Sequence, residues 1–258
     1  MKPVNITQTL VSVQGEGVSV GKPVLLIRLN GCNIKCSFCD SSWTNEKLDC
    51  KPFDYQNNNK TPFEINDDNI DSYIRYIKET LLSEYCIHTV LFTGGEPFLH
   101  TDFLSEFIDK TETKFNIFEI ETNGTLLYKE LTFIQREKHN IQLNISPKLK
   151  EYPKKYNEDF KKALFLISTY ENNNFLKFVY AQDLEKSILN FIKIDDSLPV
   201  VISPLTPPYE SENFYEKYRA RCLKTLDFCL RNGLRYSPRE HVFLFGSERE
   251  EFKSLKGD

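Results

Sequence analysis

The chain has no long apolar run. Nowhere in its 258 residues is there a stretch approaching the roughly 20 apolar residues that a membrane-spanning helix needs. The opening Met1-Lys2-Pro3-Val4-Asn5 is not followed by the apolar core of a secretory leader, so a cytoplasmic location is expected. A basic excess is also missing: 33 Lys and Arg stand against 37 Asp and Glu, a formal net charge of −4. That balance argues against a broad nucleic-acid or anionic-membrane surface, and neither is expected as a partner. The basic runs at 148–155 and 231–239 read as solvated faces. Histidine is scarce. His88, His100 and His139 show no partner pattern, and His241 reads as structural or as part of a site's rim. The single tryptophan, Trp43, is expected to pack beneath a loop. There is no internal repeat and no linker that would split the chain, so residues 1–258 read as one domain.

Cysteine, by contrast, is concentrated. Three of the seven fall in one short run, Gly31-Cys32-Asn33-Ile34-Lys35-Cys36-Ser37-Phe38-Cys39-Asp40, with the spacing C-x3-C-x2-C. In a reducing compartment such thiols serve as metal ligands more often than as disulfides. Three thiolates can hold one soft metal centre, yet a four-iron cube normally takes four, so one iron would stay open. An open metal position is where substrate or cofactor chemistry occurs. The bland alternative is a zinc site completed by a histidine or by Cys50, which lies in a nearby polar loop. Cys222 and Cys229 share a helical face and read as core, while Cys86 ends a helical run.

Short β-branched and apolar runs recur at Val24–Leu29, Thr89–Phe92, Ile117–Glu121, Ile141–Ile145, Ala163–Ile167, Phe175–Tyr180 and Val200–Ile202, and these are predicted strands. Helical stripes lie between many of them: Ile70, Tyr73, Ile74, Ile77, Leu81 and Leu82; then Phe103, Leu104, Phe107 and Ile108; then Leu184, Ile188, Phe191 and Ile192. A further helix over 215–230 is predicted to stop at Asn232-Gly233. Strands alternating with helices imply a parallel sheet built from crossover units. Residues 45–61 are polar and asparagine-rich and read as an insertion, 171–174 as a turn, and the charged tail from about 247 as a fraying end. The polar motifs follow predicted strands: Cys32–Cys39 the first, Thr93-Gly94-Gly95-Glu96-Pro97 the second, Glu121-Thr122-Asn123-Gly124 the third and Ser146-Pro147-Lys148 the fourth. Ligands of parallel α/β folds bind beyond the carboxyl ends of strands, so these motifs are expected to meet at one mouth.

The cysteine run, with Phe38 before its last cysteine, is similar to that of radical S-adenosylmethionine (SAM) enzymes, and Gly94-Gly95-Glu96-Pro97 looks like their methionine-binding motif. Val13-Gln14-Gly15-Glu16-Gly17, Gly21-Lys22-Pro23 and Ile27-Arg28-Leu29-Asn30-Gly31-Cys32 resemble the 7-carboxy-7-deazaguanine synthase family, as do Cys39-Asp40-Ser41, Glu121–Gly124 and Ser146–Lys148. The likeness is good over about residues 11–148 and looser beyond, where Arg235–His241 is a weaker echo.

The resemblance implies a partial, incomplete parallel β/α barrel of about six strands, of radical SAM type. It implies a [4Fe-4S] cluster on Cys32, Cys36 and Cys39, with SAM against Phe38, Asp40, Gly94, Gly95, Glu96, Ser146, Pro147 and Lys148. Glu96 would accept from the SAM ammonium. It places a pterin substrate against Val13, Gln14, Gly15, Arg28 and Thr93, with Arg28 holding the substrate carboxylate as a fork. Mg2+ would sit on Ser41, where many members have threonine. The implied reaction turns 6-carboxy-5,6,7,8-tetrahydropterin into 7-carboxy-7-deazaguanine and ammonia, on the way to queuosine and other 7-deazapurines, with an external flavodoxin- or ferredoxin-type electron donor and a homodimer. Two departures stand out. Arg239-Glu240-His241 lacks the glutamine that many relatives carry before the histidine, and the chain continues well past His241. The alternatives are an activase that makes a glycyl radical on a partner protein, and a metal-stabilised binding module without turnover.

Overall fold

The structure is a computed structural model, and it describes residues 1–57, 59–150, 152–194 and 197–246. The tail from about 247, expected to fray, lies outside the described residues. Nine strands form one sheet: β1 (Val4–Val13), β2 (Pro23–Leu29), β3 (Phe63–Ile65), β4 (Thr89–Gly94), β5 (Ile117–Thr122), β6 (Ile141–Ile145), β7 (Phe175–Tyr180), β8 (Val200–Pro204) and β9 (Arg235–Tyr236). Their order is β3-β1-β2-β4-β5-β6-β7-β8-β9. From β2 onward every neighbouring pair is parallel, while β1 runs antiparallel to both β2 and β3. The sheet curls as a partial barrel and does not close: β3 and β9 are its two ends.

The parallel strands read as continuous apolar runs because helices cover the outside while the inside is also buried. In β2, Val24 to Ile27 and Leu29 are all buried, and Arg28 is the one polar break. The helices are α1 (Ile70–Tyr76), α2 (Thr101–Thr111), α3 (Leu131–Arg136), α4 (Glu158–Ser168), α5 (Glu185–Ile194), α6 (Phe214–Asn232) and α7 (Glu240–Phe245). In α2 the predicted stripe of Phe103, Leu104, Phe107 and Ile108 is fully buried. The chain leaves α1 through a π-turn at Ile77–Leu81, closed by Leu82 N–H donating to Ile77 O at 2.9 Å, so both Ile77 and Leu82 face the core. As the Asn-Gly pair predicts, α6 ends with Gly233 at φ 64°. No helix of the described residues is long and apolar enough to cross a membrane.

The structure departs from the sequence reading at one segment and adds to it at two. Ala163–Ile167 is helix, not strand: Asn157 caps α4 by accepting from the Asp159 and Phe160 N–H groups, and Phe160, Ala163, Leu164 and Ile167 form a helical stripe while Phe165 stays exposed. The antiparallel strand β1 escapes a search for apolar runs because polar Thr7, Gln8, Thr9 and Ser12 interrupt it. The polar segment 45–61, read as an insertion, packs on the core at Phe53. Phe53 is buried, with its ring centroid 4.9 Å from Phe63 and 5.5 Å from Tyr73, and Pro52 bridges to Glu64 beside β3.

Candidate active site

Every polar motif that follows a parallel strand reaches one cavity of about 250 Å³ at the carboxyl end of the sheet. Its lining includes Val13, Gln14 and Gly15 from the end of β1, Arg28 from β2 and Thr93 from β4. It also includes Cys32, Cys36, Phe38, Cys39, Asp40 and Ser41 from the loop after β2, Gly94 at the end of β4 and Gly95 after it, and Ser146 and Lys148 after β6.

The two loops that carry Gly95 and Cys32 are zipped together. Gly95 N–H donates to Leu29 O at 3.0 Å, and Glu96 N–H to Gly31 O at 2.8 Å. A Cβ at Gly95 would fall 1.8 Å from Gly31 O, so no side chain fits there. A Cβ at Gly15 would fall 1.9 Å from His241 Nδ1. His241 therefore lines the cavity by packing on Gly15, and burial together with the Arg239 charge lowers its imidazole pKa to about 4.

Arg28 is held in the cavity by its neighbours. Its Nε donates to Gln8 Oε1 at 2.9 Å, and its guanidinium lies over the Trp43 ring, 5.6 Å from the centroid. Trp43 thus lines the cavity as well as supporting the cluster loop. Thr93 Oγ1 donates to Glu121 Oε2 at 2.6 Å, and Gln14 Nε2 donates down into the barrel to Glu119 Oε2 at 2.7 Å. Lys148 Nζ donates to Ser146 Oγ at 2.8 Å, and burial lowers the pKa of its amine. Ser41 Oγ donates to Gly94 O at 3.2 Å.

Two predicted residues do not reach this cavity. Glu96 is fully buried behind it, where Oε1 accepts from Phe98 N–H at 3.1 Å and Thr122 Oγ1 at 2.7 Å, and Oε2 accepts from Asn123 N–H at 2.8 Å. Burial pushes its carboxyl up to about 7. As placed, Glu96 ties the loop after β4 to the end of β5. Pro147 lines a separate small hollow with Phe178 and Ile188.

Several cavity residues carry no sequence expectation. Asn123 Nδ2 donates to Cys32 Sγ at 3.7 Å, and Asn123 O accepts from Tyr156 Oη at 3.0 Å. Tyr156 Oη in turn accepts from Lys148 N–H at 2.6 Å, so the cluster loop and the loop after β6 share one chain of hydrogen bonds. The segments 148–155 and 231–239 are not simply solvated faces, because Lys148 and Arg239 both line the cavity. Arg239 is 6% exposed and donates to Glu16 and Asp40, while Lys177 donates to the other oxygen of Glu16. Burial would push both carboxyls up, but Lys177 and Arg239 hold Glu16 down at about 2, and Arg239 holds Asp40 well below the usual carboxylate range. The signal for Glu16 and Asn123 was their position inside quoted motifs. Lys177 sits within a predicted strand and gave none.

The donor chemistry of the cysteine loop fits an iron–sulfur cluster. All three thiols line the cavity, and none is in a disulfide. Among the described residues no group of three histidine, cysteine, aspartate or glutamate side chains is placed to hold a single ion. A cube needs no such group, because each thiolate takes a different iron. Cys50 is absent from the cavity wall. Ser41 alone offers one hard oxygen, which is too little to make a magnesium site from side chains.

The curled sheet, the open-sided thiol set and the glycine loop after β4 define a radical SAM domain. The profile of the radical SAM superfamily matches residues 26–166, and the chain belongs to that superfamily. Among named relatives, the 7-carboxy-7-deazaguanine synthase of Clostridium acetobutylicum is 34% identical over 122 residues, covering 47% of this chain and 46% of that protein. The synthase of Archaeoglobus fulgidus is 29% identical over 177 residues, covering 68% and 71%. That of Bacteroides thetaiotaomicron is 35% identical over 120 residues, covering 46% and 52%. The chain thus spans about half the length of the curated relatives it matches, and more of the Archaeoglobus protein. A crystal structure of QueE from Escherichia coli superposes with a TM-score of 0.59 at 21% identity, over 93% of this chain and 95% of that one, which establishes the shared fold.

Proposed function

We propose that the chain converts 6-carboxy-5,6,7,8-tetrahydropterin to 7-carboxy-7-deazaguanine with loss of ammonia, the step that supplies queuosine and related 7-deazapurines. The observation that carries this reading is one cavity that gathers two unlike sets of residues: Gln14, Gly15, Arg28 and Thr93, and the three-cysteine loop with Gly95 and Lys148. The run of relatives named as 7-carboxy-7-deazaguanine synthases supports the same reading.

Cys32, Cys36 and Cys39 would hold the [4Fe-4S] cluster, with SAM against Phe38, Asp40, Gly94, Gly95, Ser146 and Lys148. Together these cofactors supply radical hydrogen abstraction when bound. The chain's own part is to bind, orient and shield. Arg28, fixed between Gln8 and Trp43, presents a guanidinium fork to the substrate carboxylate. Thr93 is oriented by Glu121, and Gly15, with no side chain, lets His241 pack against it at the cavity's edge. Glu96 helps to keep the loop after β4 in place through Thr122 and Asn123. Magnesium enters no step, since Ser41 is its sole proposed ligand. A flavodoxin- or ferredoxin-type donor, a homodimer and a cytoplasmic location complete the reading by family resemblance.

Equilibrium binding of the carboxypterin under anaerobic conditions tests the assignment. Arg28→Ala should leave iron content unchanged and weaken pterin binding by about 2 kcal/mol or more, the loss from removing one side of a shielded charge pair. Unchanged affinity would remove Arg28 from the substrate contacts.

A further inference from the structure

Arg239 is nearly buried, and its planar guanidinium reaches three separate loops. Nε donates to Glu16 Oε2 at 3.1 Å, Nη2 to Asp40 Oδ2, and Nη1 to Thr206 Oγ1. Glu16 directly follows Gly15, a proposed substrate contact, and Asp40 directly follows Cys39, a proposed cluster ligand. The backbone around Arg239 is anchored too: Glu240 N–H donates to Gly15 O at 2.7 Å, and Tyr218 Oη donates to Arg239 O at 3.3 Å.

We infer that Arg239 is a positioning residue that locks the loop carrying Cys32 to Asp40 onto the loop carrying Gln14 to Gly17, so that the ligands of the two loops are held in register. The inference rests on the proposed function for what each loop binds. The lock itself is a matter of geometry and charge. Two carboxylates, Glu16 and Asp40, share one guanidinium, and Lys177 neutralises only the far oxygen of Glu16. Without Arg239 the buried Glu16 would keep Lys177 alone, and Asp40, whose side chain is 43% exposed, would lose the guanidinium that ties it to the loop carrying Gln14 to Gly17 and be free to turn to solvent. A lysine is a point charge without a fork and cannot satisfy both carboxylates in the same way. A purely structural ion pair would tie the fold anywhere. This one ends on residues adjacent to a proposed cluster ligand and to the proposed pterin loop.

The test uses amide hydrogen exchange on the full chain without cluster, comparing wild type, Arg239→Gln, Arg239→Lys and, as control, Arg231→Ala, which removes an exposed ion pair with Asp227. Arg239→Gln should raise exchange at both 14–17 and 32–41 by roughly tenfold or more, and Arg231→Ala at neither. Arg239→Lys should restore protection in one loop at most, and it serves as the comparison if the glutamine variant folds poorly. Exchange that rises in one loop only, or full protection of both loops in Arg239→Lys, overturns the lock. The second readout is on reconstituted protein. Arg239→Gln should keep its iron and sulfide, raise the pterin KM more than it lowers kcat, and cleave more SAM per pterin consumed. An unchanged cleavage ratio overturns the register role. Loops that loosen together in a protein whose wild type never turns over the pterin would sink the functional reading and leave the lock standing. Turnover with unmoved loops would do the reverse.

Discussion

Replacing Gly95 with alanine tests the zip between the two loops at the heart of the site. The added Cβ would lie 1.8 Å from Gly31 O and 2.4 Å from Gly31 C. These are backbone atoms, so nothing can rotate aside. The carbonyl that must retreat also accepts Glu96 N–H at 2.8 Å, and Gly95 N–H is itself bound to Leu29 O at 3.0 Å. Forced overpacking costs about 1–3 kcal/mol, and each strained hydrogen bond costs about 1 kcal/mol. A loss of about 3 kcal/mol is therefore expected, which at this chain length lowers Tm by roughly 6–12 °C. Because Gly31 directly precedes Cys32, the displaced loop should also take up less iron and sulfide on reconstitution. The assays are thermal unfolding of the cluster-free chain and metal analysis after anaerobic loading. A Tm within about 2 °C of wild type, together with full iron content, would refute the close approach of these loops.

Three further outcomes are expected. The buried Glu16 carboxyl titrates at about 2 against an ordinary 4.5, so its stabilisation is complete above the ordinary value and is lost as pH falls from about 5 towards 2. The Tm gap between wild type and Glu16→Gln should close over that window, and a constant gap would show that the ion network does not form. Lys177, whose pKa is raised, stabilises below its ordinary 10.5 and loses that contribution only as pH rises past its folded value, so it should not affect the acid window. Cys36→Ala should abolish the iron–sulfur absorbance and SAM cleavage while leaving urea unfolding within about 1 kcal/mol of wild type, since Cys36 is only half-buried and open to the cavity. Retained iron and sulfide at wild-type level would remove Cys36 as a ligand. Phe53→Ala should cost about 3–5 kcal/mol in urea unfolding, because its ring packs edge-on against Phe63 and Tyr73. A cost below about 1 kcal/mol would mean that the 45–61 segment does not belong to the core.

Much of this molecule can be read from its sequence, for identifiable physical reasons. Parallel strands buried on both faces show as apolar runs, so β2, β4, β5, β6, β7 and β8 were visible without the structure. Motifs lying just after those runs had to converge, since parallel strands share one carboxyl end, and the cavity gathers them. What was hidden depends on distance along the chain. Ala163–Ile167 looks like a strand until Phe160 and the Asn157 cap set a helical period. Glu96 sits in a ligand motif, and its bonds to Thr122 and Asn123, at and just past the end of the next strand, are not visible locally. The ion network joins Glu16, Asp40, Lys177 and Arg239, which no local pattern connects, and Arg239 itself lay in a run that local charge counting assigned to solvent.

Anaerobic turnover is the most direct test of the proposed activity. The protein is reconstituted with iron and sulfide, supplied with SAM, magnesium, dithionite and 6-carboxy-5,6,7,8-tetrahydropterin, and its products are read by mass spectrometry. The account predicts 7-carboxy-7-deazaguanine and ammonia in step with pterin consumed. A brown protein that cleaves SAM but leaves the pterin untouched would contradict the proposed substrate, and a colourless zinc protein with no labile sulfide would contradict the radical chemistry itself.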